Sequence, residues 1–205
     1  MYGTINKTCI REGHTVRVIA GKAKGRALQA VPGQGTRPTT DKVKEAIFSM
    51  IGPYFDGGKA LDLFAGTGGL GIEAWSRGMQ QVIFVDKEKV SVDIIRSNVE
   101  LVGAVEAIEI YRNDAGRAMK ALAKRNIQFD LIFLDPPYRI VDMDAWMLQM
   151  VEMGLVAEDA TIVVEHDVKM QYPHQLNGFE QLRTNQYGDI AVTIYRHVAT
   201  MNARE

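Results

Sequence analysis

The chain has 205 residues, a formal net charge of −1, 46% hydrophobic and 24% charged residues, and a single cysteine, Cys9. These values suit a globular protein in a reducing compartment, long enough to bury about 70% of its unfolded surface. They exclude an intrachain disulfide framework; no apolar run approaches about 18 residues and the N-terminus is polar, so neither a membrane span nor a secretory signal is expected and a cytoplasmic location is.

Charge is unevenly spread. Residues 1–44 hold nine Lys/Arg against Glu12 and Asp41, while the other 161 residues hold 15 against 23 acids. A basic segment on an acidic body fits an anionic partner met at one end, although a solvated charged face would read the same way. Residues 1–15 show no periodicity. Val16–Ala20 and Arg26–Val31 are strand-like runs around Gly21-Lys-Ala-Lys-Gly25, which reads as a β-hairpin carrying Lys22, Lys24 and Arg26, with Arg17 nearby. A lone hairpin is marginal and must pack on something. After a linker at Gly33–Pro38, Thr39 and Thr40 cap a helix over 41–51 with Val43, Ile47, Met50 and Ile51 on one face.

From Ala60 the pattern alternates. Strands are expected at Ala60–Ala65, Gln81–Asp86, Ala107–Arg112, Phe129–Asp135 and Ala160–Glu165. Helices are expected at 70–77, stopped by Gly78, at Glu88–Val102, from Asp114 to Arg125, and over 142–153. Phe179–Thr184 and Ile190–Arg196 close the chain around Tyr187-Gly-Asp189. Alternation of this kind specifies an α/β, doubly wound, Rossmann-like sheet of about seven mostly parallel strands. One strand near the C-terminus is antiparallel, since the last two lack an intervening helix.

The strand at 60–65 runs into Gly66, Gly68, Gly69 and Gly71, which place free backbone N–H groups at the carboxyl end of the sheet. Two cofactors could use this turn. Gly66-x-Gly68-x-x-Gly71, with Asp86 twenty residues after Gly66, fits a dinucleotide fingerprint. Asp62, four residues before Gly66, argues otherwise, because a carboxylate beside a pyrophosphate is unfavourable. S-adenosylmethionine (SAM) carries an ammonium and a sulfonium and no phosphate, which an acid attracts.

A second motif, Asp135-Pro136-Pro137-Tyr138, ends the fourth core strand. Two prolines remove two N–H donors and present carbonyls rigidly. A carboxylate and a carbonyl, both acceptors, suit a planar NH₂ group, and Tyr138 offers a face on which a base can stack. Accepting both amine protons aims the nitrogen lone pair at a methyl group, and in-line displacement then depends mainly on positioning.

Asp62-Leu-Phe-Ala-Gly-x-Gly68 followed by Asp135-Pro-Pro-Tyr138 resembles the class I SAM-dependent amino-methyltransferases. Arg17-Val-Ile-Ala-Gly-Lys22, Gly25-Arg26, Arg37-Pro-Thr-Thr-Asp-Lys-Val-Lys-Glu-Ala-Ile-Phe48, Gly69-Leu-Gly-Ile-Glu-Ala74 and Ser76-Arg-Gly78 extend this to the RsmD family of 16S ribosomal RNA guanine-N2 methyltransferases, over about residues 16–197. The resemblance implies that Asp62, Phe64, Ala65, Gly66, Thr67 and Gly68 line the methionine end of SAM, that Asp86, with Lys87 beside it, takes the ribose hydroxyls, and that Asp114 and Ala115 flank the adenine. It implies that Asp135, Pro136, Pro137 and Tyr138 hold the target guanine, extruded from folded RNA, and that Arg17, Lys22, Lys24, Arg26 and Arg37 hold phosphates. Arg37 and Thr39 could instead shape the cofactor pocket. The division expected is 1–38 as an N-terminal extension and RNA-contacting hairpin and 39–205 as the methyltransferase domain. The expected partner is 16S ribosomal RNA within a small-subunit assembly particle, met by a monomer.

The remaining features take plain readings. Met143, Met147, Met150 and Met153 form a packing stripe, the four histidines lack metal-ligand spacing, and Cys9 lacks the setting of a pyrimidine carbon-5 methylating nucleophile. An adenine amino-methyltransferase, a nicotinamide-dependent oxidoreductase and a non-catalytic RNA-binding protein are the alternatives.

Overall fold

A computed structural model describes residues 16–31, 40–136, 142–170, 172–173 and 175–198. Strands β1 (Val16–Arg17) and β2 (Ala27–Leu28) pair antiparallel, Val16 opposite Leu28. The ladder is shorter than the runs 16–20 and 26–31 suggest. The reason is that Ile19 and Ala20 send their N–H groups to the Glu73 carboxylate, at 2.7 and 2.9 Å.

Helix α1 (Asp41–Ile51) follows, with the Thr40 hydroxyl accepting from the Val43 N–H. Next come β3 (Lys59–Asp62), α2 (Gly69–Ser76), β4 (Gln81–Asp86), α3 (Lys89–Val102), β5 (Ile108–Arg112) and α4 (Ala115–Ala123). They are followed by β6 (Phe129–Leu134), α5 (Met143–Glu152), β7 (Val156–Asp167), β8 (Gln175–Leu176), β9 (Phe179–Tyr187) and β10 (Ile190–His197). The order across the main sheet is β5-β4-β3-β6-β7-β10-β9-β8. The first five strands are parallel, and β10 lies reversed between β7 and β9. The sheet is thus the expected doubly wound one, extended at its edge by the two-residue β8. No helix among the described residues is long and apolar enough to cross a membrane.

Alternate strand residues divide between two layers. Ala60, Phe84, Phe133 and Val163 pack on one face with α1, α2, α3 and the hairpin residues Val16, Val18, Ala23 and Leu28. Leu61, Ile83, Ile132 and Val164 pack on the other with α4 and α5, where Met143, Met147 and Met150 fill the core as expected. Helix α2 ends where Gly78 follows at φ 124°; a Cβ there would come within 2.0 Å of the Phe55 carbonyl oxygen. Its sequence is apolar nearly all round, and it lies buried between sheet and hairpin.

One acid breaks that apolar helix. Glu73 is fully buried, and its carboxylate accepts from Ile19 N–H, Ala20 N–H and Arg77 Nε (2.7 Å), with Lys44 Nζ at 3.4 Å. Lys44 is itself fully buried on α1 and also donates to the Arg17 carbonyl. Burial lowers the Lys44 pKa, and the charge of Glu73 opposes that. At the last residue of the helix, Ser76 Oγ donates to Ala20 O (2.6 Å) and accepts from Ala23 N–H (2.9 Å). The hairpin, too short to hold itself, is therefore bolted to α1 and α2. Breaking a buried pair leaves an uncompensated charge, typically at a cost of about 3–5 kcal/mol. Glu73→Gln, which strands Lys44 and Arg77, is expected to lower unfolding free energy by about 3 kcal/mol in urea denaturation.

Candidate active site

The sheet register brings four carboxylates to the carboxyl end of the parallel strands. Asp62 lies opposite Phe84 of β4 and Phe133 of β6, and Leu134 opposite Val164 of β7. Two residues beyond Phe84 is Asp86, two beyond Phe133 is Asp135, and two beyond Val163 is Glu165. Period-two alternation therefore puts all four on the face that carries the hairpin and α1, Asp86, Asp135 and Glu165 level with one another and Asp62 two residues below them.

The glycine turn is held from within. Gly66 sits at φ 54° and Gly68 at φ 77°, and a Cβ on Gly66 would meet nothing within 4 Å, so the backbone faces open space. Gly66 N–H donates to Asp86 Oδ2 (2.9 Å), Gly68 N–H to Ala65 O (2.7 Å) and Gly71 N–H to Asp62 Oδ2 (3.1 Å). Three glycine donors that a pyrophosphate would need are already taken, two of them by carboxylates. Asp62 itself is buried; desolvation pushes its pKa up to about 7, with the Gly71 N–H opposing and Asp86 adding to the rise. A cation at the turn would relieve that carboxylate and an anion would worsen it. This geometry fits SAM and does not fit a dinucleotide.

The other expected cofactor residues gather nearby. Glu88 N–H holds the second oxygen of Asp86 at 2.8 Å and the Ser91 side chain bonds the same carboxylate, which leaves one acceptor position for a ribose hydroxyl. Burial raises the Asp86 pKa, and the N–H groups of Glu88 and Gly66 oppose the rise. Asn113 N–H bonds to the Asp86 carbonyl at 3.0 Å, which sets Asp114 at the neighbouring strand end. There Asp114 caps α4 by accepting from Gly116 and Arg117, and Ala115 is buried behind it. The Phe64 ring stacks obliquely on Trp146 at 5.8 Å, Ala65 is buried, and exposed Lys87 lies 3.9 Å from Glu88.

Asp135 and Pro136 lie directly after β6, both partly exposed; Pro137 and Tyr138 are outside the described residues, as are Arg37 and Thr39. Although Asp135 keeps some solvent contact, desolvation of its carboxyl is the main cause of a pKa well above the ordinary carboxylate range. The charges of Glu165 and Asp62 add to it. Of the basic residues, Arg17 pairs with Asp41 at 3.0 Å and Lys22 lies over the Trp75 ring at 3.9 Å, while Lys24 and Arg26 are exposed. Among the described residues neither Lys24 nor Arg26 is in an ion pair.

Sequence reasoning missed Glu73, Lys44 and Asn98, the residues that fix the hairpin. Glu73 carried a signal, being a single acid in an apolar helix with Arg77 four residues on.

Comparison with known proteins agrees with this geometry. Residues 16–196 match the family model described as "Conserved hypothetical protein 95". YlbH of Bacillus subtilis is 49% identical over 181 residues, covering 88% of this chain and 98% of that protein. The chain belongs to the RsmD family. The Escherichia coli protein named "Ribosomal RNA small subunit methyltransferase D" is 29% identical over 184 residues, 90% of this chain and 91% of that one. An RNA methyltransferase from Salinibacter ruber, solved with S-adenosyl-L-homocysteine, shares the fold at 14% identity and TM-score 0.60, covering 81% of this chain and 97% of its own. This RsmD-family chain is a SAM-dependent methyltransferase.

The raised pKa of Asp62 predicts a pH dependence. An ionised carboxylate beside the turn favours a sulfonium and a protonated one does not, so SAM affinity is expected to weaken as pH falls through the raised pKa of Asp62. Equilibrium dialysis is expected to show about tenfold weaker SAM binding at pH 6 than at pH 8, and Asp62→Asn should flatten that difference.

Proposed function

We propose that the protein transfers a methyl group from SAM to the exocyclic N2 amine of a guanine in 16S ribosomal RNA, acting as a monomer on a small-subunit assembly particle. The observation that carries this reading is the adjacency of Asp135 and Asp62 on neighbouring strand ends, which sets an amine-accepting motif against a cation-favouring turn. The ribosomal RNA substrate follows from the relative named small subunit methyltransferase D.

In this reading Asp62, Phe64, Ala65, Gly66, Thr67 and Gly68 hold the methionine end of SAM, Asp86 and Lys87 the ribose, and Asp114 and Ala115 the adenine. When bound, SAM supplies an electrophilic methyl group on a sulfonium. The Asp135 carboxylate and the Pro136 carbonyl accept the two amine protons, Pro137 keeps that segment rigid, and Tyr138 stacks on the base. A guanine amine is a weak nucleophile because its lone pair is delocalised, so pinning both protons and aligning the nitrogen contributes most of the rate. Residues 39–205 form the catalytic domain, and 1–38 form an extension whose hairpin meets RNA. Lys24 and Arg26 are free to hold phosphates. Arg17 and Lys22 can do so from positions already fixed by Asp41 and Trp75, and Arg37 joins them.

The direct test incubates tritiated SAM with small ribosomal subunits from cells lacking the enzyme and analyses the nucleosides. Label in N2-methylguanosine is expected, and label in methyladenosine would overturn the guanine assignment. Asp135→Ala is expected to lower kcat by at least about 10²-fold with SAM affinity within about twofold of wild type. Equal loss of SAM binding would show that Asp135 serves the cofactor. Changing Lys24 and Arg26 together to Ala should weaken RNA binding and make its salt dependence shallower by up to about 2 contacts in filter-binding titrations.

A further inference from the structure

Asn98 is a fully buried amide in the C-terminal half of α3. Every polar atom of its side chain is spent on the main chain of two other segments. Its Oδ1 accepts from Gln29 N–H (2.7 Å), and its Nδ2 donates to Gln29 O (3.1 Å) and to Thr67 O (2.9 Å). Gln29 belongs to the arm that leaves β2 of the hairpin, and Thr67 is in the glycine turn. On the turn side, the peptide between Thr67 and Gly68 is gripped at both ends, its carbonyl by Asn98 and its N–H by Ala65 O at 2.7 Å. That peptide separates two glycines with positive φ, the part of the turn with most freedom to relax. On the hairpin side, Glu73 holds the loop that carries the basic residues to α2, the same helix that leaves the glycine turn.

We propose that Asn98 is a positioning residue that couples the hairpin arm to the cofactor turn, so that holding RNA on the hairpin and holding cofactor at the turn reinforce one another. The RNA half of this rests on the function proposed above; the cofactor half does not. Ordering the arm orders Gln29, which fixes the Asn98 amide, which fixes the Thr67 carbonyl and the turn's conformation. A ligand that needs the ordered turn then binds more tightly, and by linkage that ligand tightens RNA binding by the same factor. Removing one buried hydrogen bond changes an equilibrium by roughly fivefold to tenfold.

The test measures the affinity of the full-length protein for radiolabelled S-adenosylhomocysteine by equilibrium dialysis, alone and on unmethylated small ribosomal subunits. Asn98→Asp keeps the acceptor for Gln29 N–H and loses both donors. Gln29→Pro removes the arm's N–H without altering Asn98 or the turn. Ser76→Ala cuts a hairpin tether at the far end of α2 and serves as the control. Asn98→Asp and Gln29→Pro are each expected to weaken binding by about fivefold or more, with Ser76→Ala within about twofold of wild type. On subunits, wild type is expected to bind S-adenosylhomocysteine at least about fivefold more tightly than in solution, an enhancement falling below twofold in Gln29→Pro. Affinities within twofold of wild type in both variants, with only the melting temperature lowered, would reduce Asn98 to a structural role and overturn the proposal. So would an enhancement on subunits that survives Gln29→Pro. A wild-type protein that ignores the subunits sinks the RNA reading, while binding in solution still decides whether the arm reaches the turn.

Discussion

A carboxylate placed where water cannot reach it organises the hairpin-bearing layer of this molecule. Glu73 lies in a helix otherwise built from apolar residues, wedged between the sheet and the hairpin. An ionised carboxylate there demands several donors, and it finds them in two successive N–H groups of the hairpin, in Arg77 one turn along, and in Lys44 from α1. Apolar packing alone would let the hairpin slide across α2, whereas the directional bonds to Ile19 and Ala20 leave it one register. A two-residue ladder that could not persist alone thereby becomes a fixed feature on the helix that springs from the glycine turn.

The opposite end of α2 shows a second use of acids. Most glycine turns at the carboxyl end of a sheet keep their N–H groups for a ligand's oxygens. Here Asp62 and Asp86 turn inward and occupy the N–H groups of Gly71 and Gly66, so the turn offers a ligand negative charge beside its open backbone. With Asp135 and Glu165 continuing the row across β6 and β7, this end of the sheet suits a positively charged cofactor on one side and an acceptor-seeking amine on the other.

What could be read in the sequence was what local patterning encodes. The alternation of apolar runs marked the strands and helices, Asp62 ahead of Gly66 spoke for SAM, and the methionines at helical spacing in α5 spoke for packing. What escaped depends on partners distant along the chain. Glu73 meets residues 53 and 54 positions away, and Asn98 reaches 69 positions back to Gln29, distances at which no periodic signal survives. The pairing of Arg17 with Asp41 escaped for the same reason, since 24 positions separate them. The strands 179–187 and 190–197 were visible as a pair, but the insertion of the later one beside β7 is a fact of topology that composition does not carry.

That insertion bears on how the molecule comes into being. β10 is made after every other described strand, yet it sits inside the sheet and joins β9 to the parallel strands. During synthesis at about 5–20 residues per second, the strands from β3 to β7 can assemble their helices around them while β7 still shows an open edge. Until β10 emerges, β9 has no long neighbour on which to lie, and β7 presents a row of unsatisfied main-chain groups to anything extended nearby. The nascent protein therefore passes through an interval in which its most apolar strands are folded but not yet closed, and the last-made strand ends it.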